Sequence, residues 1–456
     1  MVKQVDQPGS ESEWVSSVDL PWSGLKSHPW SLSGGGVAEV FNSIQGESKI
    51  SDVVSLIGRS AHTGSDDAYF APRGIWERHS IGSGSVKPLV EGDSIRDWSI
   101  EPQTEAVFPY DDNLQASLED VPLARMLWSL RQGLRSRQEL GGSHEEVGLT
   151  WYEWSRWHPE RFRIELGIGM SFVSTHAHFG LDRGGKVFNR SAPVVKLPEG
   201  AGEDQHLKLL GVLNSSVACF WLKQVSHDKG SQGVNEGFKS QEWERFYEFT
   251  GTKLKEFPLP SKLPLARSKE IDSLAQKLST LEPAALVESS TPTTGPLEDT
   301  HAEHVATCQR MIALQEELDW DVYHCYGLIG DAQLAEMAIP DTADVPSVNL
   351  GERAFEIVLA RRVEVGEAST EWFNRHGSTP ITEIPDHWPD AYKKVVAKRI
   401  ELIESDKKIN LLERPEYKRR WQSEPWEKKQ KAALKSWLLD KCEDRRLWFN
   451  ADDYGD

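Results

Sequence analysis

Between Gly184 and Lys229 the chain reads GGKVFNRSAPVVKLPEG, a short acidic spacer, then HLKLLGVLNSSVACFWLKQVSHDKG. This is a β-type run, a break, and an apolar helix from Leu207 to about Val225. Leu209, Leu210, Val212, Leu213, Val217, Phe220, Trp221 and Leu222 leave that helix no continuous polar face, so it has to lie inside a core that other elements build around it. Asn214, Ser215 and Ser216 interrupt the apolar run, and Asn214 and Ser215 can cap or kink the helix. Only the edges of the unit, around Asn189 and Arg190 and from Lys223 to Lys229, carry side chains suited to recognition.

At 456 residues the chain can bury a large core and form two to four domains. No stretch approaches eighteen consecutive apolar residues, and the first thirty lack the apolar centre of a secretory signal. A cytoplasmic location is expected. Cys219, Cys308, Cys325 and Cys442 form no CxxC pair, so neither a zinc ribbon nor a disulfide framework is encoded.

The formal net charge of -19 argues against a chain that coats nucleic acid indiscriminately. Charge is unevenly placed, however. From Leu123 to Leu197 eleven Lys or Arg face seven Asp or Glu, and from Tyr392 to Phe449 seventeen basic residues face ten acidic ones. Two basic zones on an acidic protein can hold a duplex in one place while the remainder restricts binding elsewhere.

Residues 1–36, rich in Ser, Gly, Pro and Trp, are read as a tail or junction. Residues 37–282 are read as one α+β, β-rich domain with packed helices. Within it the runs from Tyr69 to Asp111 predict short strands, Pro122 to Glu139 an amphipathic helix, and the alternation around the Asp182–Gly185 turn a hairpin. Residues 283–300 have linker composition, and 301–456 are read as a mostly α-helical domain.

Enzyme chemistry leaves weak traces. There is no GxxxxGK[ST] loop, no HExxH motif and no Pro-Pro dipeptide of the kind that holds a flipped base, and Gly167 and Gly169 sit in a strand-like run. Glu47 with Lys49, and Asp386, Asp390 and Lys393, are the carboxylate and lysine groupings a Mg²⁺ nuclease would need, at spacings common by chance. His176 and His178 share a strand face but lack a second ligand cluster. No catalytic, metal or cofactor residue is therefore assigned.

Several segments, in order, resemble the C-terminal, DNA-recognising part of the PglX adenine-specific methyltransferases of BREX phage-defence systems, a group related to type IIG restriction-modification enzymes. PLVEGDSIRDWSI (Pro88 to Ile100) resembles that family's hand-over motif, in which a Gly-Asp-x-Ile-Arg turn leads into the recognition domain. DRGGKVFNRSAPVVKLP, LLGVLNSSVACFWLKQV, FYEFTGTKLKEFPLP, LDWDVYHCYGL and EYKRRWQSEPWE continue the likeness.

The resemblance implies a double-stranded DNA partner, with S-adenosylmethionine held by a catalytic half not found in this sequence. It implies a recognition fragment, a truncated gene or a separate subunit, not catalytic alone. Arg and Lys can read guanine or hold phosphates, and Asn can read adenine. The candidate DNA contacts are Arg73, Arg96, Arg163, Lys186, Asn189, Arg190, Lys223, His227, Lys229 and Lys239. The alternative is a protein-interaction subunit whose helical tail docks onto a separate methyltransferase or other defence proteins, which the acidic charge would suit.

Overall fold

The computed structural model describes Ser10 and residues 36–46, 48–230, 241–337, 339, 344–421, 424–444 and 447–448. It is an α+β protein whose chain divides into two compact units. The first takes residues up to Lys269 together with Leu318–Met337 and Glu401–Arg419; the second takes Glu270–Glu317, Ala338–Ile400 and the residues from Arg420 on. Among the described residues, no helix is long and apolar enough to cross a membrane.

The first unit holds two four-stranded sheets. One runs Phe179–Arg183, Leu166–Met170, Val194–Lys196, Leu56–Gly58, all antiparallel. The other runs Val187–Phe188, Val86–Val90, Thr104–Val107, Phe70–Pro72, with Val187 and Phe188 parallel to Leu89 and Val90. The Asp182–Gly185 turn thus carries the chain from one sheet to the other. The hairpin expected around this turn does not form: Phe179–Arg183 pairs with the upstream strand Leu166–Met170, while Val187–Phe188 joins the other sheet. Gly184 and Gly185, at φ +97° and +76°, supply the left-handed turn that makes the crossing.

The helix Val121–Arg135 follows the amphipathic reading. Asp120 caps it by accepting from the Leu123 amide at 2.9 Å, and Leu123, Leu127 and Leu134 are buried against Tyr69, Leu89, Phe108, Trp154 and Val187. A smaller core of Val90, Ile95, Phe188, Ala192 and Val194 lies beside it.

The apolar helix read from Leu207 is two helices, Glu203–Leu213 and Ser216–Val225. Ser215 breaks them apart by capping the second: its hydroxyl accepts from the Ala218 amide at 3.2 Å and donates to the Val212 carbonyl at 2.7 Å. Asn214 performs a different task. Its amide side chain donates to the Phe179 carbonyl (3.1 Å) and accepts from the Phe179 amide (3.2 Å), pairing with the edge strand as a neighbouring backbone would.

Beneath these helices lies a buried charged network. Asp319 accepts from the Ser216 amide and hydroxyl at 2.9 and 2.6 Å. Lys418 donates to Asp319 at 2.9 Å and to Glu413 at 3.1 Å, and Tyr323 donates to Glu413 at 2.6 Å. A carboxylate at the start of Ser216–Val225 suits the helix dipole, and buried Lys418 compensates both buried acids.

The second unit is helical. Arg399 grips Glu317 with two bonds of 2.7 Å, and Glu356 receives Arg353, the Trp372 indole and the Gly351 amide. The segment 283–300, read as a linker, is partly helical, with Pro283 at the first position of Pro283–Ser289 and the long helix Thr294–Cys325 following closely.

Candidate nucleic-acid interface

Pairing between short segments, with help from one serine hydroxyl, builds the site. The strand Ala61–His62 pairs with Arg156–Trp157, placing Arg156 opposite His62. The His158 amide donates to the Ser60 carbonyl at 2.9 Å. Ser60 also joins the second sheet: its amide and hydroxyl donate to the Phe188 carbonyl (3.0 and 3.1 Å), and its hydroxyl accepts from the Phe188 amide (2.7 Å). Arg59, beside Ser60, is thereby brought near Arg190, two residues beyond Phe188, and near Arg156 and Arg161. The Arg161 guanidinium donates to the Arg59 carbonyl.

The result is a group of like charges. Burial, and then the cations of Arg156, Arg190 and Arg161, push the Arg59 pKa below its usual value. Burial and Arg59 likewise lower His62, with Asp66 opposing. Burial and Arg161 lower His158. Among the described residues the guanidinium groups of Arg59, Arg156 and Arg190 make no hydrogen bond or ion pair. Arg161 is paired with Glu160 at 3.8 Å, whereas Arg59, Arg156 and Arg190 form a half-buried to exposed cationic patch of the kind that attracts polyanions.

A cleft of about 510 Å³ opens against this cluster, with Arg59, His62, Arg156 and Arg137 among its walls. Its carboxylates, Asp66 and Glu139, are engaged: Asp66 accepts from the Thr63 hydroxyl, and Glu139 lies 3.0 Å from buried His144. Arg137 is buried and spends its guanidinium on the carbonyls of Leu134, Thr63 and Trp151, so it is part of the cleft's frame.

Three of the ten residues expected from sequence converge here. Arg190 is exposed, and Lys229 pairs with Glu248, which stands opposite His227 in the adjoining strand. The Lys229 bond, aided by the charges of His227 and Arg190, holds the Glu248 carboxyl below its usual range, so one acid feels all three.

The others are dispersed or turned inward. Arg96 donates to the carbonyls of Gly92 and Ile95 (2.8 and 2.6 Å), locking the Gly-Asp-x-Ile-Arg turn. Lys223 is buried, donating to the Glu416 carbonyl at 2.6 Å with its ammonium over the Tyr247 ring. Asn189 turns back to Ser191 and Glu91, Lys186 pairs with Asp182 at 3.1 Å, and Arg163 reaches the Asn113 carbonyl. Arg73 is exposed on a strand end, and Lys239 lies outside the described residues.

Arg59 was not singled out from the sequence, and Arg156 and Arg161 entered only as members of a basic zone. The available signal was the recurrence of Arg and His in two short runs, GRSAH and SRWHPERF, that pair as strands.

The other chemistries find less support. His176 lies between the carbonyls of Ala177 and Tyr417, and His178 contacts Arg419. Asp390 is engaged by Lys393 at 2.8 Å and Lys49 by Glu256 at 2.6 Å, while Glu47 lies outside the described residues. Gly167 and Gly169 do not form a nucleotide cradle: an added Cβ would meet Lys196 and Val194 at one and Phe188, Ile100 and Ile95 at the other, so they serve close packing within the sheet. S-adenosylmethionine does not fit that segment.

A family described as a domain of unknown function, DUF7008, matches residues 311–455. The chain is 45% identical over 457 residues to the adenine-specific methyltransferase PglX of Streptomyces coelicolor (strain ATCC BAA-471 / A3(2) / M145), covering 98% of this chain and 38% of that relative. Among solved structures it is similar to the type IIL restriction-modification enzyme MmeI in complex with DNA, at a TM-score of 0.36 with 13% identity over 63% of this chain and 34% of that one. It is also similar to the type IIG restriction endonuclease BpuSI, at a TM-score of 0.34 with 12% identity over 64% and 34%.

Proposed function

We propose that this chain, a relative of an adenine-specific methyltransferase over nearly its whole length, is the DNA target-recognition region of an adenine-N6-specific DNA methyltransferase of a BREX phage-defence system. The observation that carries the reading is the group Arg59, Arg156, Arg161 and Arg190, whose mutual repulsion adds to burial at Arg59, in a protein of net charge -19. Such a cluster repels itself until phosphates occupy it.

In this reading the duplex backbone lies along Arg59, Arg156 and Arg190, with His227 and Lys229 extending the track. S-adenosylmethionine and the methyl-transfer chemistry belong to a catalytic half, in the same polypeptide or a partner. The protein acts in the cytoplasm, where its DNA is.

The test is fluorescence anisotropy of duplex DNA with the chain alone, together with a methyl-transfer assay. Weak, steeply salt-dependent binding without transfer is expected. Methylation by the chain alone, or affinity unchanged in Arg190→Ala with Arg59→Ala, would overturn the reading.

A second reading, docking onto a separate methyltransferase or other defence proteins, is favoured by one observation. The helix Trp426–Cys442 leaves Leu438 and Leu439 56% and 44% exposed on a charged element. Co-purification with a catalytic chain, and DNA binding only in its presence, would support that reading.

A further inference from the structure

Beside the cationic cleft stands a short hairpin whose tip is the most exposed large apolar side chain among the described residues. Gln138–Glu139 pairs with Gly142–Ser143 in register Glu139 to Gly142, leaving Leu140 and Gly141 as a two-residue loop. Leu140 is 94% exposed, and it lines the same cleft as Arg59, His62 and Arg156. Gly141 and Gly142 take φ +117° and +146°, which lets the strand reverse in two residues.

The hairpin is braced from below. Glu139 is held 3.0 Å from His144, which is fully buried. Glu146 accepts from the Ser143 amide and hydroxyl at 2.7 and 2.8 Å, fixing the returning strand. A leucine on so anchored a tip does not fold back to cover itself, and leaving it in water forgoes roughly 1.5 kcal/mol or more of burial. Arginines on the adjacent wall would hold a duplex so that the tip faces its groove.

Resting on the DNA-binding reading above, we infer that Leu140 is an apolar wedge that enters a base step of the duplex held by Arg59 and Arg156. Apolar side chains unstack and kink DNA this way where neighbouring cations keep the backbone in place. The cleft below, walled by Arg59, His62 and Arg156, would face the opened step, where base edges become available.

The experiment uses the full chain with a set of short duplexes of mixed sequence, each carrying one 2-aminopurine, whose fluorescence rises on unstacking. Wild type is expected to raise the signal at one step. Leu140→Ala should abolish that rise and weaken affinity about ten-fold, as loss of a buried leucine side chain would, without altering the salt dependence. Leu140→Met should restore it.

If Leu140→Ala keeps the full rise, or wild type binds without any rise, the wedge is overturned while DNA binding stands. Arg59→Ala with Arg156→Ala separates the two ideas, since it should lower affinity and salt slope whatever Leu140 does. No binding by wild type at about 50 mM salt would overturn both.

Discussion

Arg419 places Nη1 3.1 Å from Asp97 Oδ1, closing a contact between residues 322 apart in sequence. Asp97 and Trp98 both adopt positive φ, +42° and +75°, a conformation uncommon for residues with side chains and costly unless the surroundings enforce it. Arg419 supplies that enforcement. It also donates to the Asn214 side chain at 2.7 Å and lies 3.2 Å from His178. The motif resembling a hand-over turn is thus held by the chain's last residues in its unit.

Arg419→Ala is expected to destabilise the protein by about 3 kcal/mol or more, because Asp97 loses its partner and the buried amide of Asn214 loses a donor. Asp97→Gly should cost less, since glycine accepts the positive φ without strain. Urea unfolding midpoints of the two variants compare them directly.

Lys418→Met is expected to cost about 3–5 kcal/mol, because it leaves the buried carboxylates of Asp319 and Glu413 without their shared cation. Combining it with Asp319→Asn and Glu413→Gln should recover part of the loss. Additivity across that set, read from denaturant curves, would show that the three side chains do not act together.

Arg59→Ala and Arg156→Ala are each expected to reduce the slope of log affinity against log salt by about one, roughly uniformly across DNA sequences. Arg96→Ala should leave that slope unchanged and lower stability instead, since its guanidinium already serves the carbonyls of Gly92 and Ile95. Titrations between about 50 and 200 mM salt distinguish these outcomes.

His376 gives a pH signature in the second unit. Its ring lies 2.6 Å from the Trp372 carbonyl and 3.2 Å from the Arg420 guanidinium nitrogen, an arrangement suited to the neutral form. Burial lowers its pKa from 6.5 to about 4. The unfolded chain therefore binds the proton more readily, and stability falls as pH drops from 6.5 towards about 4, by roughly 3 kcal/mol from this group. Thermal melts of wild type and His376→Gln across that window should diverge with acidification, the variant falling less.

Elements with a strong local code were legible in the sequence. Val121–Arg135 has apolar residues at helical spacing and an Asp cap, and the apolar run before Val225 permitted only burial. The split at Asn214 and Ser215 was legible as a cap or kink. That Asn214 would bond to Phe179 was not, because such a bond depends on a strand 35 residues away.

The same limit explains the interface. Arg190 could be placed at a strand end from local pattern, but its nearness to Arg59 exists only because Ser60 bonds to Phe188 across 128 residues. Lys223 looked like a loop border and lies inside because Glu416 offers it a carbonyl. Composition finds cations; only tertiary pairing decides which of them lack a counter-charge.

The bond between Asn214 and Phe179 has a consequence for solubility. Phe179–Arg183 is the outermost strand of its sheet, and such a strand normally presents open amides and carbonyls that recruit strands from other molecules. Asn214 occupies both groups of Phe179, while Trp98 lies against the next residue, Gly180, where a side chain would collide with Ile100. Two side contacts thereby close the margin at its first residues, a safeguard against runaway fibre growth that a substitution at Asn214 would halve, leaving only the Trp98 contact at Gly180.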